Sequence, residues 1–171
     1  PNYHVHVPIM DTQKSIDGMA KYLLNTISGS FHLVGLSMGG IIAMTVAIKD
    51  PSRVKSMVLM DTSPHSDSVR KQAVRDKQIE TVNKPSDLAR IVAQELKPNY
   101  VHDRSSNEHV LKLCMKMAMD LGCEVFINQC SALRNRKSLI DSLSFIDCKT
   151  LVLCGEHDKL CPVTAVSYTH L

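Results

Sequence analysis

This sequence of 171 residues has no long apolar run, does not open on a leader-like pattern and has no stripe of basic charge. No apolar run approaches the roughly 18 residues that a membrane-spanning helix needs, and no basic stretch followed by an apolar one opens the chain. These absences predict a cytoplasmic protein that has no membrane partner. The net charge is +3, with basic residues interspersed among acidic ones, which argues against a nucleic-acid partner.

The sequence also has no C-x-x-C pair. Its six cysteines stand in apolar periodic segments, as is typical of buried reduced thiols rather than of zinc ligands or a disulfide framework. His4 and His6 project from one face of a predicted strand, residues 3–9, and two such side chains are potential metal ligands. No third ligand is near in sequence, so we interpret both as polar residues on the less buried face and expect no metal.

Residues 31–40 read F-H-L-V-G-L-S-M-G-G, an apolar run that passes through a G-x-S-x-G motif into a helix-like segment. About 0.06 matches to this pattern are expected by chance in a chain of this length. Ser37 at its centre is typical of a nucleophile on a sharp strand-to-helix turn. Such a turn crowds the positions two before and two after the serine, so we expect Gly35 and Gly39 to avoid clashes there.

Helical and strand patterns alternate around this motif. Ser15 is placed to cap a helix whose apolar residues recur on one face, and Gly29 ends it. Residues 38–48 are apolar almost all round, as expected of a helix buried against a sheet. Residues 54–60 and 150–154 are predicted strands. This order predicts an α/β fold with a parallel sheet covered by helices on both sides.

The sequence of residues 65–147 predicts several helices, separated by Pro, Ser, Asn and Gly, and no strand. The clearest has one apolar face and is closed by Gly122. Of its three methionines, we expect Met117 to face inward and Met115 and Met119 to be partly solvated. The basic residues that follow are interpreted as a solvated face: Arg134, Arg136 and Lys137.

The G-x-S-x-G turn, together with G-E-H-D at residues 155–158, resembles the α/β-hydrolase superfamily in its small serine-nucleophile, esterase-like branch. The resemblance implies a core with the nucleophile elbow at residues 1–64, a helical cap insertion at 65–147 that sets substrate choice, and a core strand with the acid turn at 148–171. It also implies that Asp158 is the acid of a catalytic triad. Asp61, which follows another predicted strand, is the alternative acid.

The same resemblance implies the rest of the machinery. The backbone N–H of Met38 would hold the developing oxyanion, and a histidine would act as general base. The family places that histidine after one more helix and strand, which need more than about 20 residues, so we expect it beyond residue 171 rather than at His170. The first strands of the family are expected before residue 1. His157, adjacent to Asp158, is interpreted as a loop residue.

The predicted function is that of a serine hydrolase acting on a small acyl substrate, with no cofactor. Serine rather than aspartate at the elbow argues against epoxide hydrolases and dehalogenases. Two alternatives stay open: an acyltransferase, and a non-catalytic ligand-binding protein on the same fold.

Residues 1–171 expressed alone are expected to show no turnover of short p-nitrophenyl esters above a Ser37→Ala control. Without a positioned base the hydroxyl of Ser37 stays protonated, and losing one oxyanion donor costs about 3 to 4 kcal/mol of transition-state stabilisation. Turnover that depends on Ser37 would contradict this expectation and make His170 the candidate base.

Overall fold

The computed structural model describes residues 3–166. Within this range the chain forms six α-helices and three strands: α1 (Ile16–Thr26), β1 (Phe31–Leu36), α2 (Met38–Lys49), β2 (Val54–Met60), α3 (Val69–Thr81), α4 (Pro85–Ile91), α5 (Glu108–Arg134), β3 (Lys149–Leu153) and α6 (Val163–Val166). Short 3-10 or π turns occur at Pro51–Arg53, Val92–Leu96, Lys97–Asn99 and Ile140–Phe145. None of the helices in this range is long and apolar enough to cross a membrane.

The three strands form one parallel sheet in the order β1-β2-β3. Across it, Leu33 lies opposite Met57, and Met57 lies opposite Thr150. The predicted parallel α/β architecture is thus confirmed. Parallel strands all end at the same edge of a sheet, which is where ligands of open α/β sheets bind. Ser37 follows β1 and Asp61 follows β2 at that edge.

Helices cover one face of the sheet. α2 packs on β1 and β2, and α1 packs on α2, burying Leu33, Met57 and Leu59. Side chains that point to the opposite face are 46% to 69% exposed: Val34, Leu36, Leu151 and Leu153. The prediction of a sheet covered on both faces is therefore wrong for residues 3–166. α2, which contacts β1 and β2, lies on the face of the sheet that carries Leu33. A sheet can bury this face and leave its other face exposed.

Residues 3–9 do not form the predicted strand. A strand needs a partner for its backbone donors and acceptors, and among the described residues β1 pairs only with β2. The apolar side chains of this segment are largely exposed, and the rings of His4 and His6 lie 4.4 Å apart. The segment is instead fastened just after it, where side chains of α5 donate hydrogen bonds to the carbonyls of Met10 and Asp11.

Hydrogen bonds fix both the start of α1 and its connection to β1. Ser15 caps α1 as predicted, since its hydroxyl accepts a hydrogen bond from the N–H of Gly18. Gly29 has a φ of 69°, in the left-handed region that favours glycine. Arg53, just before β2, donates hydrogen bonds to carbonyls of this connection: Leu24, Ile27 and Gly29. The start of β1 is thus tied to the start of β2.

The turn from β1 into α2 needs glycine at two positions. A Cβ on Gly35 would lie 2.4 Å from the carbonyl oxygen of Gly39, a backbone atom that cannot move aside. A Cβ on Gly40 would lie 2.5 Å from Cγ2 of the buried Thr62. A Cβ on Gly39 would meet no atom within 4 Å. The predicted clash is confirmed at Gly35 and wrong at Gly39, because the close approach to Thr62, just after β2, falls one residue later, at Gly40.

Residues 65–147 contain helices and no strand, as predicted. α3 and α4 both pack on α5. Gly122, at φ 83°, interrupts α5 and so separates the two helices that the sequence predicted there. A second hydrophobic cluster forms in this segment, built on Val82, Leu88, Ile91 and Val92.

The prediction for the methionines of α5 is wrong for Met117 and confirmed for Met115 and Met119, which are partly buried. Met115 and Met119 pack against the second hydrophobic cluster, whereas Met117 is exposed. The apolar residues of this helix occupy more than one face, so their periodicity fits two orientations. Contacts with α4 select the face that carries Met115 and Met119.

A buried ionic cluster joins the two ends of the 65–147 segment. The side chain of Asp67 is fully buried and pairs through Oδ2 with Arg75. Its Oδ1 lies 3.0 Å from Arg136, at ion-pair distance but outside hydrogen-bond geometry. Arg136 also donates from Nε to the carbonyl of His65. Burial lowers the pKa of the Arg136 guanidinium, and the neighbouring Asp67 acts in the opposite direction.

The interpretation of Arg136 as part of a solvated face is therefore wrong, since only 9% of its side chain is exposed. Arg136 follows the end of α5 at Arg134. The direction of its side chain is therefore set by the path of the chain after the helix and not by helix periodicity. That path returns to Pro64, whose carbonyl accepts a hydrogen bond from the N–H of Leu139. Arg134 does lie near the surface, where it pairs with the half-exposed Asp76. Lys137 is exposed as predicted.

Replacing Gly35 with alanine should lower the free energy of unfolding by about 2 to 3 kcal/mol, because the new methyl group overlaps a backbone carbonyl. Gly39→Ala is the matched control. It should leave stability unchanged or raise it by up to about 1 kcal/mol, since alanine favours a helix and has open space there. Urea denaturation of both variants measures the difference, and equal losses would contradict the assignment.

Replacing Asp67 with alanine should lower the free energy of unfolding by about 3 kcal/mol, because it leaves the buried Arg136 without its counter-ion. Asp76→Ala is the control, because it removes an aspartate–arginine pair near the surface, where solvent screens the charges. Denaturant unfolding should show a much smaller loss for Asp76→Ala. Losses of the same size would mean that burial of the Asp67 cluster contributes nothing.

Candidate functional site

Ser37 occupies the turn between β1 and α2, with φ 50° and ψ −114°. A positive φ is uncommon for a residue with a Cβ and persists only where surrounding contacts impose it. Here the N–H of Ser37 donates to the carbonyl of Met60 at 2.9 Å, and its own carbonyl accepts from Oγ1 of Thr62 at 2.7 Å. The residue is exposed. β2 thus holds the backbone of the turn while the serine side chain stays accessible.

The N-terminus of α2 begins directly after Ser37. The serine side chain makes no capping hydrogen bond, so its hydroxyl is not used to satisfy the helix. The carbonyl of Ser37 accepts the N–H groups of Gly40 and Ile41. The first N–H groups of a helix, here including that of Met38, have no acceptor within the helix, and the helix dipole favours negative charge at this end. An anion that forms beside Ser37 would therefore lie close to hydrogen-bond donors.

Asp158 lies in the turn that follows β3. Its N–H donates to the carbonyl of Gly155 at 3.0 Å, which closes the turn. Its Oδ1 accepts the N–H groups of Leu160 at 2.7 Å and Cys161 at 3.0 Å. Within residues 3–166, no group donates a hydrogen bond to its Oδ2. The carboxylate is held in one orientation, and one oxygen is left to accept a further donor.

Asp61 follows β2 at the same edge of the sheet. Its φ is 44°, a second left-handed conformation at a residue that is not glycine. Its N–H donates to the carbonyl of Leu153, and its Oδ1 accepts the N–H of Gly155 at 2.8 Å. The two aspartates that the sequence proposed as alternative acids thus meet: ligand atoms of Asp61, Cys154 and Asp158 all lie within 4.8 Å of one another.

Side chains of these types can hold a metal ion, and Cys154 would bind one as a thiolate. Burial, with smaller contributions from Asp61 and Asp158, raises the pKa of the Cys154 thiol. Burial and Asp158 raise the pKa of Cys161 to about 11. Both thiols therefore lose their protons less readily than an ordinary cysteine. The thiol of Cys154 donates to the carbonyl of Cys161 at 3.3 Å, so it takes part in closing the acid turn.

No histidine within residues 3–166 is hydrogen-bonded to Ser37 or Asp158. His157 lies in the turn between Gly155 and Asp158, as the loop interpretation had it, and its ring stacks on His102 with 4.1 Å between the centroids. This contact joins the acid turn to the 65–147 segment. His170 lies outside the described residues.

A serine–histidine pair does exist elsewhere in the sheet. Nδ1 of His32, on β1, lies 2.7 Å from Oγ of Ser56, on β2. The two residues are neighbours near the N-terminal ends of the paired strands, away from the edge that carries Ser37. The ring of Tyr3 packs edge-on against His32. This is a cross-strand pair on the exposed face of the sheet. Ser56 is therefore a useful control for any test of Ser37.

A cavity of about 310 Å³ lies against α1 and α2, between Ser15, Thr45 and Leu139. Neither Ser37 nor the two aspartates line it. The cavity is therefore separate from the site formed by Ser37, Asp61 and Asp158.

The structure thus brings Asp61 to Asp158 and leaves Ser37 at the end of β1, on the same edge. Sequence reasoning missed Thr62 and Gly40, which together fix the serine turn, and the hydrogen bond from Gly155 to Asp61. A polar pair directly after a buried strand, here Asp61–Thr62, was the signal that could have found them.

Comparison with known proteins gives three kinds of match. Residues 6–111 match the family model of the alpha/beta hydrolase fold. The sn-1-specific diacylglycerol lipase of Danio rerio is 31% identical over 97 residues, which cover 53% of this chain and 29% of that protein. The pimeloyl-acyl-carrier-protein methyl ester esterase of Pseudoalteromonas atlantica is 31% identical over 64 residues, 37% of this chain and 25% of the esterase.

Solved structures share the fold at lower identity. A thermophilic esterase from Thermogutta terrifontis is 24% identical with a TM-score of 0.75, covering 94% of this chain and 61% of the esterase. An enol-lactonase from Burkholderia xenovorans is 21% identical with a TM-score of 0.74, covering 90% of this chain and 59% of the lactonase. The chain thus spans about three fifths of these structures. Because the family model matches more than half of its residues, the chain belongs to the α/β-hydrolase fold family.

Proposed function

We propose that the full-length protein is a serine hydrolase that cleaves an ester or related acyl compound through an acyl-enzyme intermediate. The observation that carries this proposal is the position of Ser37. It is an exposed serine in a constrained turn, beside a helix N-terminus, at the sheet edge where Asp158 holds an oriented carboxylate. These are the parts from which nucleophilic acyl transfer is built.

In the proposed reaction, Oγ of Ser37 forms a bond to the carbonyl carbon of the substrate while its proton passes to a histidine. The tetrahedral intermediate then collapses, and the bond to the leaving alcohol breaks as that alcohol takes the proton from the histidine. Water repeats the sequence on the acyl-enzyme and releases the acid. The general-base histidine is not assigned among residues 3–166.

The remaining groups have distinct roles in this scheme. The free Oδ2 of Asp158 would accept the N–H of the histidine, fix its tautomer and stabilise the imidazolium. The N–H of Met38 would donate to the oxyanion, since it belongs to the helix end that has unsatisfied donors. Gly35 permits the turn sterically. All of these groups belong to the protein itself, so the scheme requires no cofactor.

The named activities of the relatives support the substrate class. A diacylglycerol lipase, a methyl ester esterase, an esterase and an enol-lactonase all act on an ester bond. We therefore propose a small-molecule ester as the substrate, with carboxylesterase-like chemistry. The helices of residues 65–147 are proposed as the cap, because His102 in this segment contacts His157 in the acid turn.

Ser37→Ala in the full-length protein should abolish both ester hydrolysis and covalent labelling by a fluorophosphonate probe. Ser56→Ala, the matched control, should retain both, because Ser56 and its partner His32 lie away from the C-terminal ends of the strands, where Ser37 stands. Labelling without hydrolysis would indicate an acyltransferase, which product analysis with an added acceptor would detect. Absence of labelling in the unmodified protein would indicate a non-catalytic binding protein and overturn the proposal.

Asp158→Asn should lower kcat by about 10⁴-fold with little change in substrate binding, as expected when the acid of a triad is lost. Asp61→Asn should cost much less. Steady-state kinetics of both variants decide between the two aspartates. A larger loss for Asp61→Asn would place the acid at the end of β2.

A further inference from the structure

Asp61 is joined to the acid turn by two hydrogen bonds. Its backbone N–H donates to the carbonyl of Leu153, the last residue of β3, and its Oδ1 accepts the N–H of Gly155 at 2.8 Å. Both bonds cross from the end of β2 to the residues that follow β3. Asp61 adopts φ 44° there, a conformation that costs free energy and persists because these contacts impose it.

Gly155 links Asp61 to Asp158. Its N–H is held by the carboxylate of Asp61, and its carbonyl accepts the N–H of Asp158 at 3.0 Å. A displacement of Gly155 would therefore move the backbone of Asp158. The other end of the turn is set by Oδ1 of Asp158, which binds the N–H groups of Leu160 and Cys161. Asp61 supplies the side-chain contact that ties this turn to the neighbouring strand.

Resting on the proposed function, we propose that Asp61 is a positioning residue, whose carboxylate oxygen places the turn that carries the triad acid Asp158. Asp61 does not itself orient the general base. Its Oδ1 already accepts the N–H of Gly155. Gly155 follows β3, which pairs with β2 on the side away from β1. Asp158 lies on a turn of its own, and its Oδ2 has no donor within residues 3–166.

This role depends on a hydrogen-bond acceptor and not on negative charge. Asparagine keeps an oxygen at the same place, so Asp61→Asn can still accept the N–H of Gly155. Alanine removes that acceptor and leaves the N–H of Gly155 unpaired. A triad acid behaves differently, because it needs the charge and fails with asparagine as well as with alanine. The two substitutions at one position therefore separate the two roles.

The test measures kcat and KM for an ester in full-length Asp61→Asn, Asp61→Ala and Asp158→Asn variants. We expect kcat to fall less than about tenfold for Asp61→Asn and about 10- to 100-fold for Asp61→Ala, the equivalent of one hydrogen bond to a charged group. Asp158→Asn should fall by about 10⁴-fold. Asp50→Asn is the control for loss of charge, since Asp50 precedes β2 at the opposite edge of the sheet and its carboxylate accepts a hydrogen bond from the hydroxyl of Ser52.

A loss near 10⁴-fold for Asp61→Asn would overturn the inference and make Asp61 the acid. Unchanged kcat in Asp61→Ala would overturn it too. If Asp61→Ala does not fold, Asp61→Asn decides alone: activity within tenfold of the unmodified protein supports positioning, and a 10⁴-fold loss refutes it. Failure of the proposed function is recognised separately, because the unmodified protein would then show neither labelling nor hydrolysis, or Ser37→Ala would retain activity.

Discussion

Two adjacent residues after the central strand, Asp61 and Thr62, hold the turns on both sides of it. Thr62 donates its hydroxyl proton to the carbonyl of Ser37, in the turn after β1. Asp61 accepts from Gly155, in the turn after β3. Since β2 is paired in parallel with both neighbours, its C-terminal end lies between theirs. The candidate nucleophile and the candidate acid are therefore fixed relative to one short piece of backbone.

The close packing of glycine at the serine turn has the same origin. Gly35 accommodates the carbonyl of Gly39, and Gly40 accommodates the side chain of Thr62, so α2 starts in contact with both β1 and β2. A helix displaced by the width of a methyl group would carry the N–H of Met38 away from Ser37. The strained φ of Ser37 is thus supported by backbone contacts on one side and by Thr62 on the other. Rigid support of this kind is what preorganised donor groups require.

A buried ionic cluster anchors the helical segment at its base. Asp67 binds Arg75 at the start of the segment and Arg136 at its end, with all three charges largely removed from water. Charges in such a place are costly unless they are paired, so the cluster favours one arrangement of the two stems. The stacking of His102 on His157 is a separate contact, between exposed residues, at the acid turn.

Local patterns determined most of the elements of this protein. The G-x-S-x-G motif placed a turn at Ser37, apolar periodicity placed α1 and α2, and alternation of helix with strand predicted a parallel sheet, because propensity and periodicity act over neighbouring residues. These patterns fail where the outcome depends on a partner elsewhere in the chain. Residues 3–9 alternate like a strand but have no partner in the sheet, and Met117 fits a helical face that α4 does not cover.

Tertiary structure decided what depends on contacts between distant residues. Arg136 is buried because the chain returns to Asp67, almost 70 residues earlier, and no local pattern records that return. The need for glycine at position 40 rather than 39 follows from the approach of Thr62, which comes just after another strand. The sequence by itself determined a serine at a strand end and two aspartates at two others. Only the pairing of the strands decided that Asp61 meets Gly155, because a hydrogen bond across a sheet depends on register, which no single segment contains.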